Sequence, residues 1–158
     1  PRGNRSLPHL RPAYAKSSNK GVAMIFTENL LTRRLDALKK AVKKFYTTNN
    51  QQELSSLADY INDIAFEVTF DAIPSYTNPD PELFKAFADT YREAAVLIRT
   101  LVEGEEKILA KSMRDRAEFF ERVACGEDAS KVFRELSDGN HNDKEKIREE
   151  RQIVDEYI

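Results

Sequence analysis

Leu31, Leu35, Leu38, Val42 and Phe45 recur at spacings of four, three, four and three within residues 30–46, LLTRRLDALKKAVKKFY. That spacing fixes one stripe of an α-helix. At about 100° per residue, Arg33, Lys40 and Lys44 fall almost opposite the stripe, with Lys43 beside them. Arg34 and Lys39 flank the seam, and Asp36 alone interrupts the positive side. Such a helix can bury one face against a core and turn the other toward a polyanion, although a solvated lysine face has the same pattern.

The charge in front of this helix bears on the choice. Residues 1–47 hold eleven Lys/Arg against two Asp/Glu, a net of +9. Residues 48–158 hold fourteen against twenty-five, a net of −11, so a total of −2 conceals a divided chain. Association follows local charge rather than the sum. A basic front and an acidic body also attract one another, including between copies.

Residues 1–24 carry Arg2, Arg5, Arg11, Lys16 and Lys20 and no acid. Pro1, Pro8 and Pro12 oppose a regular helix and little apolar area is on offer, so an extended basic arm over 1–26 is expected. An acid-free, Arg- and Ser-containing start also fits an organelle transit peptide, although such a segment is removed on import.

The body, 27–158, reads as helical throughout. Thr27 is the expected N-cap of a basic amphipathic helix over 27–46, with Glu28 in its first turn. Asn50 and Glu53 resemble a capping box that opens a helix over 50–73. Phe66, Val68 and Phe70 alternate with polar residues as in a strand, but the earlier three-four stripe of Leu54, Leu57, Ile61, Ile64 and Val68 favours helix. PSYTNPDP is a turn, after which Asp80 and Pro81 form a strong helix start. The apolar pattern from there predicts one long helix over 81–125, tolerating Gly104 at about 1 kcal/mol. Two short helices are expected over 129–158, capped by Asp128 and Asp143. The expected fold is therefore all-α: an antiparallel helix bundle with one long helix and a basic N-terminal arm.

Signs of catalysis are sparse. His9 and His141 lack metal-ligand partners at helical spacing, and neither a P-loop nor a dinucleotide glycine motif occurs. The Glu-x-x-His pair of helical di-metal sites is missing. Glu118 and Glu121 share a face but read as solvated. Cys125, the single cysteine, has no neighbouring group to activate it and permits no intrachain disulfide, consistent with a reducing compartment. No enzyme activity, metal or cofactor is expected. No apolar run approaches the roughly 18–20 residues of a membrane span.

Zinc-finger spacing is excluded by the single cysteine, and a helix-turn-helix forced onto 53–73 would set five acids against phosphates. What remains is backbone binding without sequence preference, by Arg2, Arg5, Arg11, Lys16, Lys20, Arg33, Arg34, Lys39, Lys40, Lys43 and Lys44. The acid-free arm, basic amphipathic helix and acidic helical body together resemble the coat proteins of filamentous and rod-shaped archaeal viruses. The resemblance implies that the N-terminal part wraps DNA, that the bodies pack into a shell, and that the setting is a virion. The acidic body and the run Asn49, Asn50, Gln51, Gln52 depart from that pattern. The opening PRGNR and the helical content are also similar to phage small terminase subunits. The expected partners are nucleic acid, double-stranded DNA first, and further copies of the chain or a related subunit. The alternatives are a non-enzymatic helical subunit of a large assembly, its arm gripping neighbours, and a phage DNA-packaging adaptor.

Overall fold

A computed structural model describes the backbone of residues 12–137 and the side chains of residues 25–137. The chain is all-helical, with no strand among the described residues. Four α-helices, α1 (Pro12–Phe45), α2 (Gln51–Asp71), α3 (Pro81–Leu101) and α4 (Leu109–Ala124), are followed by α5, described over 129–137. Single 3-10 turns at Ile73–Ser75 and Glu105–Ile108 complete the described elements.

The seam of α1 packs as its periodicity predicts: Leu31, Leu35, Leu38, Val42 and Phe45 are buried, and Ala41 joins them. The start of the helix is different. Thr27 is not an N-cap but a buried mid-helix residue, and α1 begins fifteen positions earlier at Pro12. The extended arm expected over 1–26 is thus helical from residue 12 onward. The physical reason is that proline fits the first turn, where its missing N–H would have no intrahelical acceptor. Gly21 inside the helix costs only about 1 kcal/mol.

The caps read from sequence are in place farther on. The Asn50 side chain accepts from the N–H groups of Gln52 and Glu53, and that of Asp80 from Glu82 and Leu83, with Pro81 as the first residue of α3. The Phe66–Phe70 stretch is helix, not strand.

The long helix expected over 81–125 is two helices. α3 ends at Leu101, and α4 folds back so that Arg92 meets Glu121 at 3.0 Å. Phe120 of α4 packs against Phe84, Phe87 and Tyr91 of α3 with ring centroids 5.0–5.6 Å apart. The reversal turns on Gly104, whose φ of 87° and ψ of −160° lie where a side chain is strongly disfavoured. Gln51, from the start of α2, secures the break: its amide nitrogen donates to the Leu101 carbonyl at 2.9 Å, and its oxygen accepts from the Glu103 N–H at 3.0 Å.

Gly126, with φ of 100°, ends α4 where the sequence places its end. Its N–H donates to Val123 O and that of Glu127 to Arg122 O, the paired bonds of a Schellman stop. Asp128 then caps α5 through the Lys131 N–H. Buried Val132 seats α5, and Arg122 reaches both Glu127 (2.7 Å) and Glu135 (2.8 Å). Those bonds raise the Arg122 pKa further, and the same guanidinium holds Glu127 below the usual carboxylate range. The last short helix expected from sequence lies outside the described residues.

Candidate nucleic-acid interface

The buried seam of α1 sets where its cations go. Because Leu31, Leu35, Leu38 and Phe45 are held against α2 and α3, the positions opposite them must face away from the body. Arg33, Lys39, Lys40, Lys43 and Lys44 are all exposed, and none has a carboxylate partner among the described residues. From Arg33 to Lys44 the stripe runs about 16 Å at 1.5 Å per residue. Over such a length duplex DNA presents roughly nine phosphate charges, so five cations can be matched along one flank of it.

Arg34 differs from the other five. It is half-buried and bridges to α2, meeting Glu67 at 2.7 Å and Asp71 at 3.1 Å. Its charge is already matched, and its geometry is that of a strap between two helices. Sequence spacing places it at the flank of the seam but holds no information on which acids of α2 lie across from it.

Of the other expected binding residues, Arg2, Arg5 and Arg11 lie outside the described residues. Lys16 and Lys20 fall on the backbone of α1, N-terminal to its described side chains. Arg34 stands opposite the last residue of α2, so α1 continues past that end of α2 toward its own N-terminus. The nineteen residues from Pro12 to Leu30 span about 28 Å at helical rise. Ile25 and Phe26, at the beginning of the described side chains, are both 63% exposed.

At the other end of the stripe, the exposed Tyr46 donates its hydroxyl to Glu93 of α3, and that bond raises the tyrosine pKa. Glu93 is thus engaged by a phenol rather than by a lysine of α1. The acids singled out in the sequence are in surface ion pairs, Glu121 with Arg92 and Glu118 with Arg122. Among the described residues no three of His, Cys, Asp and Glu converge closely enough to hold a metal ion. No helix among them is long and apolar enough to cross a membrane.

A second surface is not evident from the sequence. A groove of about 1200 Å³ lies between the far side of α2, the turn at Ile73, α4 and α5. Phe66, Phe70, Ile73, Ile108 and Phe133 line it, and each is more than half exposed. The alternation of Phe66 and Phe70 is the signal that could have found it. On a helix these two stand almost opposite the buried stripe of Ile61, Ile64 and Val68, where a solvated helix should be polar.

Comparison with protein-family models, with curated proteins and with solved structures gives no match to this chain.

Proposed function

We propose that the protein is a non-enzymatic, self-associating nucleic-acid-coating protein, with its helices forming an antiparallel bundle behind a basic leading segment. The binding surface is the outer face of α1, Arg33, Lys39, Lys40, Lys43 and Lys44, extended N-terminally by Lys16, Lys20, Arg2, Arg5 and Arg11. Contacts are to phosphates, so binding has little sequence preference, and double-stranded DNA is the first substrate to test. The acidic body does not compete for the same strand. It keeps the rest of each subunit off the polyanion and favours head-to-tail packing of bodies against basic segments, as in a virion coat or another nucleoprotein shell.

The observation that supports this most is the stripe itself: five exposed cations on one helix face, without carboxylate partners among the described residues, backed by a fully packed seam. The test is a titration of binding to random-sequence duplex DNA against salt. Log affinity should fall against log salt with a slope of about −4 or steeper, near −0.9 for each phosphate contacted. A flat response would reject the nucleic-acid reading.

A specific observation favours a second reading. Ile25 and Phe26 expose apolar surface beside the stripe, as a helix gripping a neighbouring subunit would. On that reading the protein is a helical subunit of a large assembly and self-associates fully without nucleic acid.

A further inference from the structure

The apolar groove between α2, α4 and α5 needs an occupant. Five large apolar side chains on it are each more than half exposed, and two of them, Phe66 and Phe70, meet edge to face at 5.1 Å. A patch of this size and continuity marks a contact surface. Its floor holds a second oddity. Arg116 donates through one terminal nitrogen to Ala65 O and to the Thr69 hydroxyl, yet its Nε is buried without a partner. No carboxylate pairs with it among the described residues. A partly buried guanidinium left so is unfavourable unless an anion reaches it.

We propose that the groove is the seat of the chain's own residues 143–158, which dock there as an amphipathic helix. The described chain ends on the groove itself, since Leu136 and Ser137 are among its lining residues. Residues 138–142 can bridge about 17 Å at 3.3–3.6 Å per residue. A helix of sixteen residues is about 24 Å long at 1.5 Å per residue, the length of α4, which forms one side of the groove. In helical projection Ile147, Ile153, Val154, Tyr157 and Ile158 fall within an arc of about 140°. Glu150 lies inside that arc and is the carboxylate that would face Arg116. Lys146 shares the arc one turn earlier, while the groove's one acid, Asp115, is already met by Lys111 at 3.4 Å. The segment 138–158 has seven acids against four bases, while the groove has Lys111, Arg116 and Arg134 against Asp115, so the two are complementary in net charge. Tethering adds to this: a short linker holds such a segment at an effective concentration of about millimolar, ahead of any second copy in dilute solution.

Hydrogen exchange on the full chain tests the docking. A free helix of this length is marginal in water. Docked, the amides of residues 147–158 should exchange at least about tenfold more slowly than in the isolated peptide. Dilution should leave that protection unchanged. Phe133→Asp, at an exposed groove position, should abolish it, with Phe66→Asp as an independent second variant. Glu150→Gln should weaken it in the full chain without altering exchange in the isolated peptide. Exchange equal to that of the peptide overturns the proposal. So does protection that persists in both groove variants, because the segment then packs elsewhere. Protection that grows with protein concentration alongside a dimer in sedimentation overturns it in favour of a second copy.

Discussion

Gln51 and Glu103 are 52 positions apart in sequence, yet the side-chain oxygen of the first accepts the N–H of the second at 3.0 Å. With the Gln51 amide donating to Leu101 O, one side chain serves a donor and an acceptor released where α3 stops. These are groups a continuous helix would have satisfied internally. Gln51→Ala should therefore lower stability by about 1 kcal/mol, the low end for two hydrogen bonds at an exposed site. Urea denaturation should show the midpoint shifting with the slope unchanged. An unshifted midpoint would mean that Gly104 sets the break unaided.

Gly104→Ala isolates that contribution. An added Cβ would meet only the Glu106 Oε2 at 3.5 Å, an ordinary contact, so crowding is not the issue. The backbone is: φ of 87° with ψ of −160° is a glycine conformation, and holding alanine there costs about 1–3 kcal/mol. Gly126→Ala, at φ of 100° with nothing within 4 Å, should cost less, about 1 kcal/mol. Thermal unfolding of the two variants should rank them in that order.

These residues show where the sequence is legible. The seam of α1, the caps at Asn50, Asp80 and Asp128 and the stop at Gly126 are local signals. Each depends on neighbours within four or five positions, and the structure has them as read. The α3–α4 reversal depends on Gln51, a third of the chain away, and on a glycine whose φ cannot be read from its neighbours. Arg34 likewise looks like its neighbours Arg33 and Lys39 until α2 places Glu67 and Asp71 across from it. The helical start at Pro12 escapes any reading of proline purely as a breaker, because proline is also a permitted first residue. The groove is signalled only on its α2 side, by Phe66 and Phe70 opposite the buried stripe, because its other walls come from α4 and α5.

Alkali should find the tyrosines. Burial raises the Tyr76 and Tyr91 hydroxyls well above their ordinary value of 10.0. The unfolded chain then loses these protons first and binds fewer of them than the folded chain. Stability is therefore intact below about pH 10 and falls as pH rises beyond it. The two should differ on substitution. Tyr91 Oη is buried with no partner among the described residues, so Tyr91→Phe should be neutral or stabilising near pH 7 and should lessen the alkaline loss. Tyr76 donates to Thr69 O at 2.7 Å, so Tyr76→Phe should cost about 1 kcal/mol. Denaturant titrations at neutral and alkaline pH separate these outcomes.

Arg34 and its neighbours give the sharpest test of the α1 face, because one helix carries a structural cation among five without carboxylate partners in the described residues. Replacing Arg33, Lys40, Lys43 and Lys44 together by Gln preserves helix propensity and leaves the buried seam untouched. Exposed charges without partners contribute only tenths of a kcal/mol to stability, so the melting temperature should barely move. DNA affinity should fall on every sequence alike, and the salt slope should shrink by up to about one unit for each phosphate no longer bound. Arg34→Gln should do the reverse. It breaks the bridge to Glu67 and Asp71 and leaves two carboxylates of α2 unmatched, at up to about 1 kcal/mol for a half-exposed pair. Its salt slope should stay near that of the unsubstituted protein. The assembly-subunit reading gives another outcome for the four-residue variant: self-association fails in a sedimentation run without nucleic acid, while DNA affinity is intact. That result would move the face from phosphate binding to a protein neighbour.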